Sequence, residues 1–111
     1  MKKLFEITKI NQMELKNRFV RSATWEGLAN SDGSCSEELC SLMVELAKGE
    51  VGLIISSAAY INPTSRGGIG QLGIYDDQLV TSYKKWLKKF TMKEARLLCR
   101  LSIQVLKHWL N

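Results

Sequence analysis

The run Val51–Tyr60, VGLIISSAAY, restricts the fold of this chain more than any other stretch. Val51, Leu53, Ile54 and Ile55 follow one another with almost no polar alternation, so the segment has no face to offer to water. Continuous apolar character of this kind suits a strand covered on both faces, as strands in parallel sheets are. Parallel neighbours need a crossover connection, usually a helix. A strand and a helix must therefore precede Val51.

Both are present. In Leu15–Gly27, LKNRFVRSATWEG, the polar turn Lys16-Asn17-Arg18 gives way to Phe19 and Val20, which open a strand running to about Ala23. The loop Asn30–Ser34 is dense in turn formers. Ser34 and Glu37 have the spacing of a capping box, and Leu39, Met43, Leu46 and Ala47 recur at helical spacing. A helix over about 36–48 follows, with Gly49 closing it in a left-handed conformation. Strand, helix, strand in this order is a right-handed βαβ crossover. Both strands end in small side chains, Ser22 and Ala23 in one and Ser56 to Ala59 in the other. Small residues at two adjacent strand ends leave room for a planar ring to lie close to the backbone.

The flanks extend the pattern. Residues 4 to 15 read as a hairpin broken at Asn11-Gln12. After the second strand, Asn62-Pro63 opens a long loop containing Gly67, Gly68 and Gly70. Asp76 and Asp77 cap the next helix, with Leu79, Tyr83, Trp86, Leu87 and Phe90 on one face and Lys84, Lys85, Lys88 and Lys89 on the other. No Gly or Pro follows Gly73, and Leu98, Leu101, Val105 and Trp109 also repeat at helical spacing. The helix is therefore expected to continue to about Trp109, its apolar stripe covering the open sheet edge or pairing with another chain.

Composition excludes several classes. No apolar run approaches the ~20 residues that span a bilayer, and Met1–Ile10 has two lysines but no long apolar core of a secretory signal. A cytoplasmic chain without membrane contact is expected. Cys35, Cys40 and Cys99 lack metal-ligand spacing, and His108 is the single histidine, so free thiols are expected and no metal site. The net charge of +5 comes without aromatic interleaving or a nucleic-acid motif, so nucleic acid is not an expected partner.

Four segments, LFEITKINQMELKNRFVRSAT, ANSDGSCSEE, AKGEVGLIISSAAYINP and LGIYDDQ, resemble in order and spacing the old yellow enzyme family of FMN-dependent NADH:flavin oxidoreductases. The resemblance covers roughly residues 4 to 90. It implies an α/β fold, the capping hairpin and first two strand–helix units of a TIM (β/α)₈ barrel. A whole barrel takes about 250 residues, which a chain of 111 cannot supply. It also implies FMN as cofactor, NAD(P)H as reductant, and a small-molecule acceptor such as an electron-poor alkene that takes hydride from flavin N5. By position, Ser22, Ala23, Thr24 and Trp25 would lie along the flavin ring, and Ala58 would approach its pyrimidine side through backbone. Many family members have Pro-Met or Pro-Leu where this chain has Ala23-Thr24. The family's substrate-holding His pair, its flavin-side Arg and its phosphate site fall beyond the chain's end, so no catalytic residue is assigned and the isolated chain is expected to be inactive.

On this reading the likeness stops at Phe90, and residues 91–111 are a separate basic helical tail. A shift of coding frame accounts for it. Read one base upstream, the codons permitted for Thr91 to Leu110 include H-N-E-G-G-K-I-I-V-Q-V-K-H-T-G-A-Q-A. That string is similar to the family's second-helix end and third strand, including the flavin-contacting Gln. The alternative is a small basic α/β protein that binds a partner through a C-terminal amphipathic helix.

Overall fold

The computed structural model describes residues 3–91 and 96–102. The chain begins with β1 (Thr8–Ile10) and β2 (Met13–Leu15), an antiparallel hairpin whose turn places Asn11 at φ 53°. Asparagine tolerates that left-handed conformation better than most residues. The hairpin expected over residues 4–15 is therefore present.

β3 (Val20–Arg21), α1 (Glu37–Lys48) and β4 (Leu53–Tyr60) follow as a βαβ unit, with β3 and β4 parallel in the register Val20↔Leu53 and Arg21↔Ile54. β3 is shorter than the strand expected from Phe19 to Ala23, because pairing stops at Arg21. Buried residues occur on both faces of β4, as its unbroken apolar run requires.

The ends of α1 differ from the sequence expectation in two ways. The N-cap is Ser36, whose Oγ accepts from Leu39 N–H at 3.0 Å, and not Ser34. Ser34 is already engaged, its N–H and hydroxyl both donating to Asp32 Oδ1 in a local turn. At the other end Gly49 keeps a negative φ of −72°, and Glu50 takes the left-handed conformation at φ 67°. Asn17 accounts for the shift. This buried residue donates through Nδ2 to the Glu50 carbonyl. It also lies so close to Gly52 that a Cβ there would come within 2.7 Å of the Asn17 carbonyl oxygen.

α2 (Asp77–Thr91) is capped by Asp76, whose Oδ1 accepts from Gln78 N–H at 2.8 Å. Leu79 and Tyr83 are buried as expected, whereas Leu87 is 44% exposed. The side chains of Trp86, Lys89 and Phe90 lie outside the described residues. Lys84, Lys85 and Lys88 face solvent.

Beyond α2 the expected helix gives way to a strand. β5 (Arg96–Ser102) lies parallel to β4 from Leu53↔Arg96 to Tyr60↔Ser102, completing a sheet in the order β3-β4-β5. Helix propensity is a weak prior. The free edge of β4 presents a row of backbone donors and acceptors, which pairing satisfies. The expected amphipathic tail helix is therefore replaced by a strand over Arg96–Ser102. The remainder of the tail lies outside the described residues.

The core joins α1 (Leu39, Met43, Ala47) and α2 (Leu79, Tyr83) to Ile54 and Ala59 of β4 and to Leu72. Ile54 and Ala59 are an odd number of residues apart, so a regular strand would send them to opposite faces. The register supplies the correction. Between Ile55 and Ala58, β4 advances one residue more than β5, a β-bulge that carries the buried Ser56 and Ser57. Hairpin, two strand–helix units and a third parallel strand give the α/β architecture of an opened barrel, and no closed barrel forms among the described residues.

Candidate functional site

β3 and β4 are parallel, so their C-terminal ends share one edge of the sheet. Pairing stops at Arg21↔Ile54, and Ser22–Trp25 leave the sheet while β4 runs on to Ala58 and Tyr60. Ser22, Thr24 and Trp25 are exposed, and Ala23 and Ala58 are half-buried. All five residues singled out in the sequence thus lie at the same end of the sheet, four in the segment that follows β3 and Ala58 on β4. Thr24 Oγ1 donates to the Ser22 carbonyl at 3.0 Å. The Trp25 indole is 55% exposed and lies across Gly27, where an added Cβ would stand 3.0 Å from its Nε1.

Three side chains that hold this edge carried no signal in the sequence. Arg21 Nη1 donates to Glu26 Oε1 at 2.7 Å and to the Ile55 carbonyl at 3.2 Å, continuing the β3–β4 link after the ladder ends. The Glu26 side chain is only 2% exposed, and that of Arg21 17%. Gln71, 2% exposed, donates through Nε2 to the Ala58 carbonyl and accepts from Gly67 N–H. Nothing in the stretch Gly70–Gly73 sets this amide apart, and its use shows only in its burial and partners. The long loop is also fixed at Gly70, where φ is 84° and a Cβ would meet the Gly27 carbonyl oxygen at 2.3 Å, so only glycine fits.

A stacked pair, Tyr60 and Tyr75, closes the rim, both hydroxyls donating to the Asp32 carbonyl. Burial, with Tyr75 alongside, raises the Tyr60 hydroxyl above its ordinary range. The Ser34 hydrogen bonds hold Asp32 below the usual carboxylate range. A separate cleft of about 330 Å³, lined by Cys35, Glu37, Cys40, Ser82 and Lys85, lies between α1 and α2 and contains none of the strand-end residues. Burial there pushes the Cys35 thiol up to about 12, with Cys40 and Glu26 adding to the shift. Cys35 and Cys40 are free thiols, as expected. Among the described residues no group of three or more His, Cys, Asp or Glu is placed to hold a metal ion, and no helix is long and apolar enough to cross a membrane.

The model of the NADH:flavin oxidoreductase / NADH oxidase family matches residues 3–106. The chain belongs to this family. The match reaches past Phe90, so the likeness does not stop there as the sequence reading had it, and it includes the whole of β5. An NADPH dehydrogenase of Bacillus subtilis (strain 168) is 34% identical over 85 residues, which cover 76% of this chain and 25% of that protein. An NADH oxidase of Thermoanaerobacter brockii is 33% identical over 81 residues, covering 72% of this chain and 12% of that protein. The crystal structure of Old Yellow Enzyme from Pichia sp. AKU4542 superposes with a TM-score of 0.83 at 27% identity, covering 90% of this chain and 26% of that one. The chain therefore spans a quarter or less of the two curated relatives' length. The family pairs FMN with a nicotinamide reductant, and the strand-end residues fit such a group. Ser22, Ala23, Thr24 and Ala58 bring small side chains to this end of the sheet and would leave a flat ring access to backbone.

Proposed function

We propose that this chain forms the opening part of an FMN-dependent NAD(P)H oxidoreductase acting on a small electron-poor acceptor. Its family membership and one observation carry the reading: Ser22, Ala23 and Ala58 place small side chains at the ends of adjacent parallel strands. That edge of a strand–helix barrel is where its sites assemble. FMN, when bound, supplies the redox chemistry by taking hydride from the nicotinamide and handing it to the acceptor.

The chain's own residues bind and orient. Ser22, Ala23, Thr24 and Trp25 would line the ring, and the Ala58 backbone would approach its pyrimidine side. Gln71 fixes the Ala58 peptide plane through the carbonyl. The exposed Trp25 indole offers an aromatic face at the mouth.

These residues contact the ring alone, whereas phosphate groups are commonly anchored at helix N-termini. Ring contacts without that anchor bind weakly, so the isolated chain is inactive on this reading. Equilibrium dialysis at micromolar FMN tests it, with binding well below one FMN per chain expected. A one-to-one complex at that concentration would overturn the claim that the anchor lies elsewhere.

A further inference from the structure

The geometry points to Arg21 and Glu26 as a positioning pair that closes Ser22–Trp25 into a fixed arch and so presets the face offered to the flavin. The inference rests on the flavin reading above and deepens it. The two residues bracket the four ring-facing positions, one on each side. An extended chain of six residues would carry them up to about 20 Å apart. Instead their side chains meet at 2.7 Å, which bridges the two ends of the segment and limits how far apart they can stand.

Three further observations make this a fixed arch and not a casual surface pair. Glu26 is withdrawn from water, with a side chain only 2% exposed, so the pair is sheltered from the screening that weakens surface salt bridges. Arg21 is tied at the same time to the Ile55 carbonyl of β4, which anchors the arch to the sheet. Within the arch, Thr24 Oγ1 donates to the Ser22 carbonyl and pins the crown. Ser22, Thr24 and Trp25 nevertheless remain exposed. The Glu26 side chain that holds the segment is withdrawn from water, while Ser22, Thr24 and Trp25 keep exposed surface. Preorganisation of this kind lowers the ordering cost of binding.

Backbone ¹⁵N relaxation on the full chain tests the proposal. In the wild type, Ser22–Trp25 should show order parameters near the rigid value of about 0.85. In E26Q, which removes the charge and keeps the size, they should fall below about 0.6, the flexible range, while Leu39, Met43 and Ile54 stay unchanged. Unchanged order in the arch would overturn the proposal, as would an equal loss of order through the core, which marks a merely structural role. Should E26Q fail to fold, the wild type alone decides: flexible values at Ser22–Trp25 would refute a preset arch. Adding FMN to the same samples tests the flavin reading separately, since the order of the arch is measured without ligand.

Discussion

Gln71 Nε2 donates to the Ala58 carbonyl at 2.8 Å while its Oε1 accepts from Gly67 N–H at 2.6 Å, so one buried amide ties the end of β4 to the glycine loop. Gln71→Leu keeps the bulk and strands both backbone groups. Each unsatisfied buried group costs about 1–3 kcal/mol, so a loss of roughly 2–4 kcal/mol is expected. The urea midpoint measures it, and an unchanged slope would confirm that the same surface is exposed on unfolding.

The two serines before α1 make opposite predictions. Ser36 caps the helix, so Ser36→Ala should cost about 1 kcal/mol. Ser34 serves an exposed turn with Asp32 and Asn30, so Ser34→Ala should stay within about 0.5 kcal/mol. Thermal denaturation of the two variants side by side distinguishes the caps.

Alkaline pH should weaken the fold through Cys35. Burial raises its thiol to about 12 in the folded chain, from an ordinary value near 9. Between those values the folded state retains a proton that the unfolded state releases, so stability falls as pH rises. Below pH 9 the contribution is fully present. Denaturation midpoints of wild type and Cys35→Ala should therefore converge or cross as pH climbs from 9 toward 12. Parallel curves would contradict the burial of the thiol.

Much of the fold was legible because β4 has a single reading: unbroken apolar character demands cover on both faces, and the βαβ unit follows from it. The caps were misplaced for a local reason. Ser34 and Ser36 are chemically equivalent in the sequence, and only the Asp32 turn, which occupies Ser34, separates them. β5 was hidden for the opposite reason. Arg96–Ser102 is rich in Leu and Arg, both good helix formers, and the demand for a strand comes from the distant edge of β4. Ser22, Ala23, Thr24 and Ala58 drew notice by their small size and Trp25 by the family resemblance, and the sheet brings all five to one end. Arg21, Glu26 and Gln71 could not, since their use depends on burial and on partners that no spacing reveals.

The family match through residue 106 removes the break at Phe90 that a shift of coding frame was invoked to explain, although a displaced frame over β5 is compatible with a strand as well. Displaced one base upstream, the codons for Arg96–Ser102 can encode Lys, three apolar residues, Gln, Val and Lys, with Gln falling at Arg100, the register partner of Ala58. Both frames thus place strand-forming character over the same residues. Sequencing the gene should show the displaced frame open beyond codon 111 and encoding further strand–helix units. A displaced frame that closes at once, or encodes no such units, would end this reading.

The central claim is that Ser22–Trp25 and Ala58 form a flavin platform, and amide chemical-shift mapping during an FMN titration tests it most directly. Up to millimolar FMN, the largest shifts are predicted at Ser22, Ala23, Thr24, Trp25 and Ala58, while the amides of Cys35, Cys40 and Ser82 in the helix-side cleft stay still. Shifts centred on that cleft, or none at the strand ends at saturating FMN, would contradict the account.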